Sequence, residues 1–221
     1  MEEIKKYKIL NLYACLGGNR YKWDEVADNL EVTAVELDPE LARMYQKRFP
    51  NDIVIIADAH QYLLNHYKEF DFIWSSPPCP THSRVRISQK NTESFVPMFP
   101  DMKLYEEILF LENYFDGKYV VENVIAFYDP LITAKKRSRH LYWTNFNLPN
   151  SLNERKQPND FIMTGSKPNE KFHKIDLTDY KGTQRKDKIA RNLVDYEAGK
   201  TILETVFGIV RKENTNQIEM F

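Results

Sequence analysis

The segment KILNLYACLGG (residues 8–18) joins a short apolar run to a pair of glycines. The run has the length and composition of a buried β-strand. Gly17 and Gly18 follow it, and glycines between a strand and a helix let the backbone approach a ligand closely. A plain tight turn would explain the two glycines equally well. No Lys-Ser/Thr pair follows them, which argues against a phosphate-binding P-loop.

Further apolar runs repeat the strand pattern along the first half of the chain. They are VTAVEL (residues 32–37), DIVIIA (52–57), FDFIWS (70–75) and KYVVENV (118–124). Helical spacing of apolar residues covers 39–49, 59–67, 101–115 and 195–210, with Pro39 in a first turn and Asp101 as a cap. Strands that alternate with helices predict an α/β fold with a doubly wound, mostly parallel sheet. Ligands bind at the carboxyl ends of the strands in such sheets.

Length and composition set the broad class. The 221 residues allow one domain with a small appendage, and 42% hydrophobic with 29% charged residues is typical of a soluble globular protein. This composition argues against disordered, collagen-like and disulfide-scaffold chains. No apolar run approaches the roughly 18–20 residues that span a bilayer, and the start lacks the apolar core of a secretion signal. With two cysteines, we expect a reduced, cytoplasmic protein without a membrane partner.

The near-neutral net charge of -1 conceals an asymmetry between the two halves. Residues 1–75 contain 9 Lys/Arg and 13 Asp/Glu, whereas residues 133–191 contain 14 Lys/Arg and 6 Asp/Glu. The basic clusters are RVRISQK (84–90), KKRSRH (135–140), KPNEKFHK (167–174) and RKDKIAR (185–191). Such an asymmetry is typical either of a nucleic-acid-binding face or of a solvated, lysine-rich surface.

Acidic residues follow the second and third predicted strands. Glu36 lies inside an apolar run at a strand end, where a carboxylate can accept both hydroxyls of a ribose. Asp38 is better explained as a helix cap. Asp58 follows the third strand and could bind an adenine amino group. Together these strand ends predict a nucleoside-shaped site.

Cys79 lies just beyond the fourth strand, in SSPPCPTHS (residues 75–83). Most lone cysteines are inert small apolar residues, and Cys15, within an apolar run, fits that interpretation. Cys79 differs because prolines hold it rigidly where a nucleophile would be presented. The sequence therefore predicts that Cys79 is a nucleophile.

Further candidate site residues lie on the fifth predicted strand and after it. Glu122 is flanked by valines, and such burial raises a carboxyl pKa and suits a proton donor; a buried ion pair is the alternative. Arg137 and Arg139 alternate along RSRHLYW (residues 137–143), which we interpret as one strand with both side chains on one side. They would bind an anion there or remain solvated.

These segments, in this order, resemble the DNA cytosine-5 methyltransferase family. LYACLGG (12–18) resembles its Phe-Ala-Gly-x-Gly-Gly cofactor loop, and PPCPTHS (77–83) resembles its Pro-Cys motif with a serine four residues later. ENV (122–124) resembles its Glu-Asn-Val motif and KRSR (136–139) its Arg-x-Arg motif. The resemblance covers about the first 146 residues. It implies a Rossmann-like class I fold that uses S-adenosylmethionine, with no metal.

The resemblance also implies roles for single residues. Tyr13 would be the aromatic of the cofactor loop, Glu36 would bind the ribose, and Asp58 the adenine. The full set of implied cofactor contacts is Tyr13, Leu16, Gly18, Glu36, Leu37, Asp58, Ala59, Pro78 and Asn192. The implied catalytic residues are Cys79, Glu122, Arg137 and Arg139, and the implied substrate contacts are Ser83, Arg84, Arg86 and Asn123.

The implied reaction is methyl transfer to carbon 5 of cytosine in double-stranded DNA. Cys79 would add to carbon 6 of a flipped-out base, Glu122 would hold ring nitrogen 3, and nearby arginines would favour the thiolate. The loop of residues 80–100 would close over the base. Alternatives are an amino-group (N4-cytosine or N6-adenine) DNA methyltransferase, an RNA cytosine methyltransferase and an inactive nucleic-acid-binding module.

Some residues depart from the family pattern. Asn11 stands where the family usually has Asp, Cys15 where it has Gly, and Lys135 where Gln is common. The family's Gly-Asn pair near the C-terminus is represented by Arg191 and Asn192. The Ser-Pro-Pro-Cys segment also resembles the Ser-Pro-Pro-aromatic motif of amino-group methyltransferases, but its cysteine removes the stacking ring and supplies a nucleophile.

These comparisons predict the organisation of the chain. Residues 1–146 form the catalytic domain, 147–184 a reduced target-recognition region, 185–212 a segment that returns to the catalytic domain, and 213–221 a flexible tail. Because family members usually have a larger recognition domain, we expect a short or relaxed target, or specificity from a homodimer or second subunit. The compact size suggests a phage or mobile-element enzyme of the restriction-modification type.

Overall fold

A computed structural model describes residues 5–93, 95–155 and 166–209, and the predicted tail at 213–221 lies outside these ranges. The strands are β1 Tyr7–Leu12, β2 Leu30–Glu36, β3 Ile53–Ile56, β4 Phe72–Ser75, β5 Lys118–Val124, β6 Lys135–Arg137 and β7 His140–Thr144. The α-helices are α1 Pro39–Arg48, α2 Ala59–His66, α3 Arg84–Ser88, α4 Lys103–Tyr114, α5 Ser166–His173, α6 Lys186–Arg191 and α7 Tyr196–Val206. Short 3₁₀ helices span Asn19–Glu25 and Tyr67–Glu69.

The strands form one sheet in the order β3-β2-β1-β4-β5-β7-β6. The first five strands in the chain pair in parallel, and β7 pairs antiparallel with both β5 and β6. The predicted fold class is therefore confirmed. The strand order reverses between β1 and β4, and this switch point opens a crevice at the carboxyl ends of the strands.

Apolar side chains cover both faces of the sheet, as period-two alternation requires. One face packs against α2 and α4 through residues such as Leu10, Ile73 and Val121. The opposite face packs against the 3₁₀ helix Asn19–Glu25 and α7, and includes Ile9 and Trp74. Helices on both faces make the sheet doubly wound.

The last helix belongs to the core that the first residues of the chain begin. A Cβ at Gly199 would lie 2.0 Å from the Asn19 carbonyl oxygen, so only glycine lets α7 pack this closely on the 3₁₀ helix. The indole of Trp23 donates a hydrogen bond of 3.2 Å to the Gly199 carbonyl from the other side of this contact. Helix α7 and Trp23 thus share one apolar cluster on this face of the sheet.

The prediction of a single strand at residues 137–143 is wrong. Ser138 has a φ of 46°, a left-handed conformation that reverses the chain between β6 and β7. Arg137 therefore ends β6, and Arg139 lies in the hairpin turn before β7 begins at His140. The two arginines do not share one side of a strand.

Candidate active site

A cavity of about 1030 Å³ lies at the carboxyl ends of β1, β2, β4 and β5. This volume is at the upper end of the range for small-molecule sites. Most residues predicted from strand ends line it together. They are Tyr13, Gly18, Glu36, Leu37, Asp58, Ala59, Pro78, Cys79, Glu122, Asn123 and Asn192.

Glu36 is held rigidly at the end of β2. Its Oε2 accepts a hydrogen bond of 2.8 Å from the Cys15 amide, and its Oε1 accepts one of 2.9 Å from the Asp38 amide. Burial raises the pKa of Glu36, while these two amides act to lower it. A carboxylate has about four acceptor positions, so capacity remains for a diol at the cavity wall.

Gly18 marks a close approach between the loop after β1 and the C-terminal part of the chain. A Cβ at this position would lie 2.5 Å from the Val194 carbonyl oxygen, so a larger residue would displace backbone. Leu16, predicted near the methionine part of the cofactor, is buried beside Leu41 and Leu193 and does not line the cavity. It supports the loop from behind.

Two aspartates cap helices beside the cavity. Asp38 Oδ1 accepts a hydrogen bond from the Glu40 amide, which confirms its prediction as a helix cap. Asp58 caps α2 through the Gln61 amide, and its side chain stays half exposed at the cavity wall. Asp58 therefore retains an oxygen for a polar ligand group.

Residues 177–193, here called the return segment, form a wall of the cavity in which the sequence analysis had predicted only Asn192. Tyr180 Oη and Gln184 Nε2 both donate to Asp38 Oδ2, at 2.8 Å and 3.0 Å. Leu177 and Ile189 pack near Leu16 and Leu41. The cavity-lining members of the segment are Gly182, Thr183, Gln184, Lys188, Arg191, Asn192 and Leu193. Part of the predicted recognition region thus contacts the cavity directly.

Cys79 lies on the loop after β4 with its backbone fixed. Its carbonyl accepts hydrogen bonds from the amides of His82 and Ser83, at 3.0 Å and 3.1 Å. Asn123 Nδ2 donates to the Pro77 carbonyl at 3.0 Å, which ties the proline segment to β5. The rigid presentation of Cys79 that its prolines predicted therefore has a second cause, the amide of Asn123.

The expectation that arginines favour the Cys79 thiolate is wrong for the free protein. Burial and the nearby charge of Glu122 raise the pKa of Cys79, and Lys188 is the cation that acts to lower it. The reason is the hairpin, which removes Arg137 from the cavity. Its guanidinium donates to the carbonyls of Lys136, Leu148 and Pro149 instead.

Arg139 also lies outside the main cavity. It lines a second, small cavity of about 30 Å³ that adjoins the main one through His140 and Arg191.

The predicted substrate contacts lie at α3. Ser83 caps this helix, and Arg84 donates a hydrogen bond to the Ala126 carbonyl. The Arg86 guanidinium donates a hydrogen bond to the Val96 carbonyl and lies over the ring of Phe95.

Glu122 has a neighbour that the sequence analysis did not assign, His140 at the start of β7. His140 Nε2 lies 3.6 Å from Glu122 Oε1, and its Nδ1 lies 3.8 Å from Glu154 Oε1. Burial raises the pKa of Glu122, although His140 and a hydrogen bond with Ser76 oppose this. Burial lowers the pKa of His140, but Glu122 and Glu154 outweigh it and raise the pKa. His140 therefore places an imidazole beside the Glu122 carboxyl group at the cavity wall.

We expect Cys79 in the free protein to react slowly with iodoacetamide. Its raised pKa means that the alkylation rate keeps rising beyond the pH at which an ordinary cysteine is fully ionised. Replacement of Glu122 by glutamine removes a repelling charge, so it should lower the pKa of Cys79 and speed alkylation at neutral pH. Peptide mass spectrometry would separate Cys79 from Cys15, whose burial raises its pKa to about 12. Unchanged or slower alkylation in Glu122→Gln would contradict this account.

Within residues 5–93, 95–155 and 166–209, no group of three or more His, Cys, Asp or Glu side chains could hold a metal ion. None of the helices in these ranges is long and apolar enough to cross a membrane.

A profile of the family described as "C-5 cytosine-specific DNA methylase" matches residues 7–127, which is more than half of the chain. No curated protein matches the sequence. The matched residues include Glu36, Cys79 and Glu122, which all face the one cavity.

Solved structures support the fold. The Entamoeba histolytica methyltransferase EhMeth superposes with a TM-score of 0.51 at 10% identity, covering 94% of this chain and 100% of that chain. A mutant of Spodoptera frugiperda DNMT2 gives 0.41 at 21% identity, covering 71% of this chain and 56% of that chain. A TehB-like S-adenosylmethionine-dependent methyltransferase of Corynebacterium glutamicum gives 0.35 at 17% identity, covering 55% and 57%. The first of these superpositions carries the structural likeness, which concerns the fold alone.

Proposed function

This chain belongs to the family of C-5 cytosine-specific DNA methylases, and from that membership we propose that it methylates carbon 5 of cytosine in double-stranded DNA through a covalent adduct with Cys79. The cofactor of this reaction is S-adenosylmethionine. The observation that carries the proposal is the placement of a rigidly held cysteine and a buried glutamate in the same cavity as Glu36.

The cavity wall offers a fitting set of groups for the cofactor. Glu36 keeps acceptor capacity for the ribose hydroxyls, and Asp58 keeps an exposed oxygen for the adenine amino group. Gly18 lets the loop after β1 lie against the Val194 backbone, and both residues line the cavity. Tyr13, Leu37, Ala59, Pro78 and Asn192 complete the predicted lining. When bound there, S-adenosylmethionine supplies an electrophilic methyl group.

Cys79 and Glu122 divide the chemistry on the cytosine. The Cys79 thiol gives up its proton, and the sulfur bonds to carbon 6 of the ring. Glu122 holds a proton at ring nitrogen 3 and offsets the negative charge that develops in the ring. Carbon 5 would then take the methyl group as its bond to the cofactor sulfur breaks, which leaves S-adenosylhomocysteine. The proton of carbon 5 would pass to water, and cleavage of the carbon–sulfur bond to Cys79 would restore the aromatic ring.

The substrate and its recognition are further parts of the proposal. A stacked base cannot reach Cys79, so the cytosine must leave the duplex. Arg84 and Arg86 at α3 and Arg139 in the hairpin turn would contact phosphates, with Ser83 and Asn123 near the base. The short region of residues 147–184 would read the target. In this proposal it lies between the catalytic domain (1–146) and the C-terminal segment (185–212). Its size favours a short target, or help from a second copy or subunit.

The test is to incubate the purified protein with S-adenosylmethionine and either duplex DNA or transfer RNA, then analyse the nucleosides by mass spectrometry. We expect 5-methylcytosine in DNA. N4-methylcytosine or N6-methyladenine would replace the proposal with an amino-group methyltransferase, and 5-methylcytosine in RNA alone would move the substrate to RNA. An absence of both methylation and cofactor binding would leave only a nucleic-acid-binding module.

A further inference from the structure

A buried glutamate on α4 connects the loops that surround the cavity. The side chain of Glu107 is fully shielded from solvent. Its Oε1 accepts hydrogen bonds from Tyr13 Oη at 2.5 Å and from His60 Nδ1 at 3.0 Å. Its Oε2 accepts one from Ser75 Oγ at 2.5 Å. Three donors from three different parts of the chain therefore converge on one carboxyl group.

Each donor belongs to a different segment of the candidate active site. Tyr13 is the aromatic residue of the loop after β1, and its φ of 56° is a conformation that a non-glycine residue adopts only when its surroundings impose it. Ser75 ends β4, four residues before Cys79. His60 lies in the first turn of α2, next to Asp58 and Ala59.

Loss of the Glu107 carboxyl group would leave the Tyr13 and Ser75 hydroxyls without the acceptor that they have here. A buried carboxyl group without hydrogen bonds is costly, and so are buried hydroxyls that lose their acceptor. The hydrogen bond to Glu107 raises the pKa of His60, so it favours the protonated ring beside the carboxyl group. His60 Nε2 also lies 3.2 Å from Glu106, which fixes the ring from its exposed side.

We propose that Glu107 is a positioning residue, which sets the distance between the cofactor loop and the cysteine loop by binding Tyr13 and Ser75 at the same time. This inference rests on the proposed function, because it takes Tyr13 as a cofactor contact and Cys79 as the nucleophile. Glu107 itself does not line the cavity, so it acts through its neighbours. The tyrosine hydroxyl has a purpose here that the phenylalanine of the family motif could not serve.

The experiment compares variants in two measurements, the dissociation constant of S-adenosylmethionine by calorimetry and the kcat of DNA methylation at saturating cofactor. Glu107→Ala should weaken cofactor binding and lower kcat, each by about tenfold, the scale of one lost charge-assisted hydrogen bond. Tyr13→Phe should weaken cofactor binding with little change in kcat. Ser75→Ala should lower kcat with little change in cofactor binding. Glu107→Gln should restore both values to within about threefold, because its amide can still accept from Tyr13 and donate to Ser75.

A double variant tests the coupling directly. If Glu107 acts on the cofactor through Tyr13, then Tyr13→Phe combined with Glu107→Ala should bind cofactor no more weakly than Glu107→Ala alone. Multiplicative effects would overturn the proposal, as would a folded Glu107→Ala protein with wild-type values. If Glu107→Ala fails to fold, the two single variants test the proposal. It is overturned if Tyr13→Phe does not weaken cofactor binding and Ser75→Ala does not lower kcat.

Two controls separate this test from general effects. Glu112→Ala removes an exposed carboxylate from the same helix and should leave both measurements unchanged. Cofactor binding and methylation by the wild-type protein test the proposed function itself. A wild-type protein that neither binds cofactor nor methylates DNA rejects that function, whereas an active wild-type protein with insensitive Glu107 variants rejects only the positioning role.

Discussion

Replacement of Cys79 by serine is expected to lower the rate of DNA methylation by more than about 10⁴-fold, the scale seen when an enzyme loses its nucleophile. A serine hydroxyl is nearly the same size but is a far weaker nucleophile at neutral pH. The measurement is the initial rate of methyl transfer from labelled S-adenosylmethionine to duplex DNA.

The same variant should fail to form a covalent complex. Wild-type protein incubated with cofactor and DNA containing 5-fluorocytosine should give an adduct stable to denaturing gels, because fluorine blocks the final loss of a proton from carbon 5. Cys15→Ser is the matched control and should still form the adduct, since Cys15 serves the backbone turn after β1. Full methylation by Cys79→Ser would show that the thiol mechanism is wrong.

Replacement of Glu122 by glutamine is expected to lower kcat by about 10²–10⁴-fold, the range for loss of a general acid. Glutamine keeps the shape and can still hydrogen-bond a base, so the Kd for DNA should change much less than kcat. Because burial raises the pKa of Glu122, the wild-type carboxyl group keeps a proton to higher pH than an ordinary glutamate. The proton is lost as the pH rises through that raised pKa, so kcat should fall on the alkaline side for this group.

The pH profile distinguishes proton transfer from simple packing. The pH profile of kcat for Glu122→Gln should lack the alkaline fall that Glu122 causes in the wild-type protein, since glutamine does not titrate. Glu31→Gln, an exposed carboxylate near the start of β2, is the control and should keep both rate and profile. A Glu122→Gln enzyme with wild-type kcat would mean that ring nitrogen 3 needs no proton from the protein.

The parallel part of the fold was predictable because its signals are local. Each buried strand is a short apolar run, and the alternation with helices leaves few topologies open. Glu36 and Glu122 were identifiable as carboxylates inside apolar runs, and both line the cavity. The hairpin was not predictable in this way, because one left-handed residue, Ser138, reverses a stretch that otherwise resembles a continuous strand.

Long-range packing limited the rest of the prediction. Tyr180 and Gln184 of the return segment lie more than 140 positions from Asp38, and nothing in the sequence of this segment indicates which surface it covers. Glu107 could have been identified by the criterion used for Glu36, since it interrupts the apolar stripe of Leu104, Ile108 and Leu111. Its partners could not, because they come from strands and loops far away in the chain.

Because α7 packs against Trp23, the apolar core includes residues that lie beyond the part of the chain that matches the family. The matched region stops at residue 127, yet Ala198, Ile202 and Leu203 complete the apolar layer over one face of the sheet. A fragment ending near residue 146 would expose that layer as a broad apolar patch, a surface that promotes aggregation. The stretch between β7 and α7 therefore separates two parts of the chain that share one apolar core.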